Sequence, residues 1–145
     1  MAVEGSEANR GTSKEIQVLE FDLNDERYCV GIEHVAEIVD ETTLTPLPDS
    51  KRHVRGVMNL RQQTTTIIDP KVVFGMEERD GDHRIIIFEG DGDEQSGWLV
   101  DGVDQVTTFE LSAVKPQEDV ASVRGVVNRD SEFLVWVDPT AINNR

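Results

Sequence analysis

The stretch that decides the fold is VRGVMNLRQQTTTIIDP, residues 54–70. It recurs without insertion or deletion as VRGVVNRDSEFLVWVDP at residues 123–139. The two copies begin 69 positions apart and agree at seven of seventeen places, where unrelated segments would agree at about one. The recurrence predicts one structural unit that the chain uses twice.

The charge of the chain restricts its partners. Fourteen basic residues stand against twenty-nine acidic ones, which gives a net charge of −15. This balance argues against nucleic acid and against an anionic membrane surface as partners. The acidic residues are predicted to face solvent, Glu20 and Asp22 among them. Such a surface is typical of a protein that works in concentrated salt, and so of a halophilic organism, whereas an acidic binding surface is the alternative.

Other counts restrict the class further. At 145 residues the chain suits one ordinary domain, or two very small units that share a core. The single cysteine, Cys29, lies in an apolar strand and is predicted to be a small buried residue without a disulfide. No apolar run approaches the length of a membrane span, and the start of the chain lacks a signal-peptide core. These features predict a soluble cytoplasmic protein without membrane insertion.

The hydrophobic pattern predicts mostly strands. Residues 1–14 are polar and predict a disordered tail, and residues 15–145 predict a single domain with the junction between its two units near 76–84. Apolar residues alternate on both sides of a turn at 24–26, which indicates a hairpin. The loop 90–94 is predicted to connect a second hairpin. Strands are predicted at 19–23, 28–32, 64–68, 84–88, 96–100, 107–111 and 133–137.

Helical signals are short. Val35 and Ile38 lie one helical turn apart, which predicts a short helix over 32–38. Asp69 and Asp138 each precede a proline and are predicted to cap a short helix. Many strands and little helix indicate an all-β fold built from small barrels.

Motifs for catalysis or metal binding are missing from the sequence. The three histidines, at positions 34, 53 and 83, have no partner at metal-ligand spacing. Asp80-Gly81-Asp82 and Asp91-Gly92-Asp93 lack the later ligands of a calcium loop and are interpreted as solvated turns. The phosphate-binding, dinucleotide-binding and nucleophile-elbow motifs do not occur. We therefore expect neither an enzyme nor a cofactor.

An ordered set of strings carries a resemblance to a known family. The strings are Leu19-Glu20-Phe21-Asp22-Leu23 with Tyr28, Val35-Ala36-Glu37-Ile38, Pro46-Leu47-Pro48, residues 54–61, Ile67-Ile68-Asp69, residues 97–103, and Val135-Trp136-Val137-Asp138. From about residue 16 to the end the chain resembles the CheW family of chemotaxis coupling proteins. The resemblance implies two five-stranded barrels related by a pseudo-two-fold axis and packed on a shared core.

The resemblance also implies a function and partners. It implies a non-catalytic adaptor that bridges the cytoplasmic tip of a methyl-accepting receptor to the regulatory domain of the histidine kinase CheA. Such a protein would be recruited to membrane-receptor arrays through protein contacts. Two alternatives stay open: a scaffold paralogue in a non-motility chemosensory pathway, and a small-molecule-binding or enzymatic double barrel, which would need a pocket with convergent polar groups.

Individual residues receive separate interpretations. Gly56 and Gly125 occur in both copies and are interpreted as backbone positions where a side chain would clash. Arg61 has Asp130 as its counterpart, so the repeat does not require arginine there. It is either a surface arginine paired with a neighbouring carboxylate or a partner contact.

The resemblance implies that Ile32, Glu37 and Arg61 contact the receptor. One departure concerns Gln62, which stands where the family usually has glycine. We expect it either to accept a strained positive φ or to lie in a different turn.

The charge generates a prediction about stability. The thermal midpoint should be higher in molar potassium chloride than in dilute buffer, because salt screens the repulsion among the excess carboxylates. Melts over a series of salt concentrations measure it. A midpoint that stays flat or falls would leave the acidity as a binding feature instead.

Overall fold

The computed structural model describes residues 14–90 and 95–144. The predicted tail, apart from Lys14, and the turn at 91–93 with most of the loop 90–94 lie outside these residues. The strands are β1 (Glu15–Leu23), β2 (Glu26–Gly31), β3 (Val35–Asp40), β4 (Val54–Leu60), β5 (Gln63–Ile68), β6 (Arg84–Phe88), β7 (Gln95–Val100), β8 (Gly102–Glu110), β9 (Val114–Pro116), β10 (Val123–Arg129) and β11 (Glu132–Val137). Two 3-10 helices span Ile32–His34 and Leu111–Ala113, and two α-helices span Pro70–Val73 and Pro139–Asn143. With helices this short, the described part of the chain contains none that could cross a membrane.

The strands form two sheets with matching topology. The first has the order β8-β1-β2-β11-β10-β9 and the second the order β3-β6-β7-β5-β4. Each contains one parallel pair at the same place, β2 with β11 and β7 with β5. The isolated bridge between Thr45 and Val57 stands where β9 pairs with β10. The predicted all-β fold of two related units is confirmed, with six strands in the first sheet rather than five.

The two units are interleaved along the chain. The second sheet is one continuous run, whereas the first combines β1 and β2 with β8–β11. The hairpin β1–β2 therefore completes the unit that the C-terminal strands begin, just as β6–β7 completes the other. The chain passes between the sheets at residues 31–35 and 100–102, not near 76–84 as the sequence predicted. Residues 76–84 connect the first α-helix to β6 within one unit.

The buried apolar side chains form three clusters, one of which joins the two units. This shared cluster takes side chains from β1, β2, β5, β6, β7 and β11 and from the last helix. Each unit also has an interior of its own, one around Val18 and Trp136 and one around Ile85 and Leu99. Neighbouring residues of one strand, such as Ile85 and Ile86, point into different clusters. This explains why β6 is apolar without alternation, since both of its faces are buried.

The predicted helix over 32–38 is wrong beyond its first residues. Only Ile32–His34 is helical, as a 3-10 turn, and the chain continues as β3. A β-bulge between Val35 and Glu37 shifts the register of β3 against β6. Val35 and Ile38 both pack against the shared cluster. Residues three positions apart normally lie on opposite faces of a strand, but the extra residue of the bulge brings these two to the same face. The three-residue spacing of these apolar side chains therefore reflects a bulged strand and not a helical turn.

Both copies of the repeat form the same local structure. β4 and β10 each carry a bulge two residues after their start, at Gly56 and Gly125. A Cβ at Gly56 would lie 2.6 Å from the carbonyl oxygen of Thr45, and the φ of Gly56 is 144°. A Cβ at Gly125 would lie 2.4 Å from Cγ1 of Val114. The neighbouring segment, at Thr45 or in β9, approaches too closely for any side chain.

The helix caps also repeat. The carboxylates of Asp69 and Asp138 accept backbone N–H groups two residues later, both at 3.0 Å. Each carboxylate also faces the arginine of its own copy, Arg55 at 2.8 Å and Arg124 at 3.8 Å. The cap therefore ties the end of one strand to the start of its hairpin partner.

The close approach at the second bulge generates a prediction. Gly125→Ala should lower the free energy of unfolding by about 2 kcal/mol, because the added methyl overlaps Val114 and the carbonyl oxygen of Lys115. Denaturant titrations of the two proteins measure the difference.

Gly102→Ala serves as the control. Its Cβ would lie 3.3 Å from a carboxylate oxygen of Asp22, at the end of a flexible side chain, so the loss should be clearly smaller. Equal losses in both variants would contradict the clash.

Candidate functional site

The turn between β4 and β5 presents the arginine that distinguishes the first copy. Arg61 and Gln62 have φ values of 51° and 69°, and Asp130 and Ser131 repeat this conformation with 49° and 72°. Two successive residues with positive φ make the tight turn that suits a two-residue hairpin. The side-chain oxygen of Asn59 accepts the N–H of Gln62 at 2.9 Å. Gln62 thus accepts the left-handed conformation that glycine adopts more easily.

Arg61 forms a two-pronged ion pair with Glu37 on β3. Nη2 of Arg61 donates to Oε1 of Glu37 at 2.8 Å, and Nη1 donates to Oε2. The hydrogen bonds from Arg61 lower the pKa of Glu37, and those to Glu37 raise the pKa of Arg61. The Arg61 side chain is 70% exposed, whereas that of Glu37 is 26% exposed. The structure thus brings two of the three predicted contact residues together, with the guanidinium outermost.

Ile32 lies in a different place. It is half-buried, packs against the shared cluster and lines a groove of about 510 Å³. The groove runs between the start of β1 and the 3-10 turns, and neither Glu37 nor Arg61 lines it. The other principal side chains in it are Ile16, Leu111, Arg124 and Trp136.

Sequence reasoning missed these groove residues. The guanidinium carbon of Arg124 lies 5.3 Å from the centroid of the Trp136 ring, within the range of a cation–π interaction. Leu111 is 43% exposed. Nothing local in the sequence indicates the groove, because its walls come from segments about a hundred residues apart. The Arg124–Trp136 pair was visible only as two residues of the repeat.

Glu20 was predicted to face solvent, and that prediction is wrong. Its side chain is fully buried inside the first unit. Arg129 donates to its two carboxylate oxygens at 2.6 and 2.9 Å, the Thr107 hydroxyl donates at 2.5 Å, and Arg27 donates at 3.0 Å. The Arg129 hydrogen bonds, helped by those from Thr107 and Arg27, outweigh the effect of burial and lower the pKa of Glu20 to about 2. The carboxylate is a charged structural element of the barrel interior.

The other titratable groups of the described residues include neither a cluster of metal ligands nor a reactive thiol. Among residues 14–90 and 95–144, no three His, Cys, Asp or Glu side chains converge as metal ligands. Burial raises the pKa of the Cys29 thiol, which makes it a poor nucleophile. Lys71 is buried and pairs with Asp101 at 2.8 Å. It lines a small cavity of about 170 Å³ whose charged side chains largely pair with one another.

The chain is similar to proteins of one family. The family model for the CheW-like domain matches residues 17–145. The chemotaxis protein CheW of Rhizobium meliloti is 30% identical over 129 residues, which cover 84% of this chain and 83% of that protein. CheW of Thermotoga maritima is 24% identical over 129 residues, covering 86% and 85%. The crystal structure of the scaffolding protein TtCheW from Thermoanaerobacter tengcongensis has a TM-score of 0.77 and 28% identity, and the match covers 86% of this chain and 90% of that one.

The buried carboxylate generates a prediction about pH. A lowered pKa in the folded state means that Glu20 stabilises the fold above about pH 4.5 and loses this contribution as the pH falls toward 2. The contribution is about 3 kcal/mol. Glu20→Gln should therefore be less stable than the wild type at neutral pH, and the difference should shrink between pH 5 and pH 2.

The difference between the two proteins isolates Glu20 from the other carboxylates that titrate in the same range. Unfolding titrations at several pH values measure it, with Glu33→Gln, at an exposed side chain, as the control. A wild-type-to-variant difference that stays constant with pH would contradict the assignment.

Proposed function

The chain belongs to the CheW-like domain family, and from this premise we propose that it is a non-catalytic chemotaxis adaptor. It couples the cytoplasmic tips of methyl-accepting receptors to the regulatory domain of the histidine kinase CheA. The observation that carries the receptor half of the proposal is the exposed guanidinium of Arg61. The repeat has Asp130 at this turn with the same backbone, so the fold itself does not require a cation there.

The geometry of Arg61 suits a partner contact. Glu37 takes up two of the five N–H donors of the guanidinium. The remaining donors point away from this bond and are available to a carboxylate or carbonyl oxygen of a partner. Because Glu37 holds the guanidinium in one orientation, less side-chain entropy is lost on binding. We infer that Arg61 is the receptor contact and that Glu37 positions it.

The groove at Ile32 supplies an apolar counterpart. Ile16, Ile32 and Leu111 present apolar surface in a cleft of about 510 Å³. A receptor tip is expected to place apolar side chains of a helix into such a groove. Receptor binding would thus combine apolar contact at Ile32 with polar contact at Arg61.

The kinase regulatory domain is the second proposed partner, on surfaces other than these. The protein would act in the cytoplasm and reach membrane-receptor arrays through protein contacts. The same contacts would serve a scaffold in a non-motility chemosensory pathway, and the receptors that bind decide between the two. Adaptation to concentrated salt is a separate proposal, which rests on the net charge of −15.

Reversal of the charge at Arg61 tests the receptor contact. Arg61→Glu should weaken binding to a receptor-tip fragment by about tenfold or more. The new carboxylate cannot donate a hydrogen bond, and it repels the oxygen of the partner that the guanidinium would bind. Binding to the kinase regulatory domain should be unchanged. The thermal midpoint should move by no more than about 3 °C, as for most surface substitutions. Calorimetric titrations against both partners and a melt measure these effects.

Two further variants separate contact from structure. Arg79→Glu is the matched control, since Arg79 is also exposed and also pairs with a carboxylate, Asp25, at 2.9 Å; receptor binding should be retained. The swap Glu37→Arg with Arg61→Glu restores an internal pair but not the outer cation, so receptor binding should stay weak. Arg61 would have a structural role if the swap fully restored receptor binding, or if Arg61→Glu weakened binding to the receptor fragment and to the kinase domain equally.

A further inference from the structure

Phe133 on β11 is exposed without a structural reason. It is 63% exposed, more than any other large apolar side chain in the described part of the chain. It lies at the edge of a groove of about 590 Å³ between the starts of β2 and β11. Val135, two residues on, lines the same groove and also packs against the shared cluster. Phe133 therefore extends an apolar strip from the core to the surface.

The repeat shows that the fold does not need this side chain. The counterparts of Phe133 and Val135 in the first copy are Thr64 and Thr66. Both copies have the same strand bounds relative to the repeat and the same turn conformation. Threonine suits an exposed strand position well. An exposed phenylalanine in one copy only therefore indicates a role outside folding.

The rim of the groove is acidic. The carboxylates of Asp22, Asp25, Glu26 and Glu132 line it. Its one cation, Arg27, is turned toward carboxylates beneath and beside it, Glu20, Asp22 and Asp104.

Two of the four rim carboxylates, Glu26 and Glu132, have no cation partner among the residues that the structure describes, whereas Asp22 pairs with Arg27. The backbone of Glu132 pairs with Arg129 across the hairpin, but its side chain makes no ion pair or hydrogen bond within residues 14–90 and 95–144. Among the described residues, the Glu26 carboxylate accepts only a long hydrogen bond, 3.4 Å, from the Tyr28 hydroxyl, and Asp25 pairs with the exposed Arg79. A partner would meet an apolar strip edged by negative charge.

We propose that this surface, formed by Phe133, Val135 and the four rim carboxylates, docks a basic amphipathic segment of a partner protein. Apolar side chains of the segment would pack on Phe133 and Val135, while lysine or arginine side chains would face Glu26 and Glu132. Charge complementarity selects this occupant. A second copy of this chain does not fit, since its net charge is −15. The surface lies on the first unit and includes none of Ile32, Glu37 and Arg61, so it is separate from the receptor contact proposed above and assigns a partner chemistry to a surface that the proposed function leaves unassigned.

Titration with defined peptides tests the proposal. Three short synthetic helices serve as probes: lysine with leucine, lysine with serine, and glutamate with leucine. Fluorescence anisotropy at moderate salt should show the lysine–leucine peptide bound to the wild-type protein at least about tenfold more tightly than the other two. Phe133→Thr, which installs the residue of the first copy, should lose at least about tenfold in affinity for it. Leu47→Thr, at an exposed apolar side chain outside this surface, should bind as the wild type does.

Each opposite result overturns the proposal. Equal binding of the lysine–serine peptide would show attraction to net charge alone, and equal binding of the glutamate–leucine peptide would show apolar adhesion alone. Unchanged affinity in a folded Phe133→Thr variant would place the binding elsewhere. Glu132→Gln should reduce the salt dependence of binding, because it removes one uncompensated rim charge; an unchanged salt dependence would exclude the rim from the contact.

Discussion

The packing of Trp98 between the two units is the interaction on which the rest of the structure depends. Its ring is fully buried, 4.5 Å from the centroid of Phe88 in its own unit and 5.9 Å from that of Phe21 in the other. Its indole N–H donates to the side chain of Asn143 at 2.7 Å, beside the end of the last helix. One side chain therefore joins both sheets and the C-terminal helix. Because buried indole N–H groups need a partner, the hydrogen bond also fixes the ring orientation.

The shared core leaves the outer parts of each unit free to diverge. The common framework keeps the bulge glycines, the two-residue turns and the aspartate caps. Differences collect where the framework has no requirement. Arg61 in the first copy corresponds to Asp130 in the second at the turn, and Thr64 corresponds to Phe133 on the strand. Each copy thus presents a different chemistry at an equivalent place on the surface.

Electrostatics acts at two levels in this molecule. Inside the first unit, Glu20 is matched by Arg129 and Arg27, because a buried charge is tolerated only when it is paired. On the surface, several arginines are each held by a carboxylate at a defined position, as Arg61 is by Glu37 and Arg79 is by Asp25. In so acidic a chain an oriented guanidinium is a distinctive feature for a partner. The acidic rim near Phe133 shows the opposite arrangement, with its cation turned inward.

The sequence by itself determined the local structure. Strand alternation, the Asp-Pro caps and the repeated segment predicted an all-β fold of two related units, because these features depend on neighbours within a few residues. The tertiary structure alone decided which face of each strand is buried. It turned Glu20 inward, and it placed Val35 and Ile38 on one face through a bulge instead of a helix. It also joined β1–β2 to the C-terminal strands and brought Arg61 to Glu37, since strand pairing and register are set by contacts between distant segments.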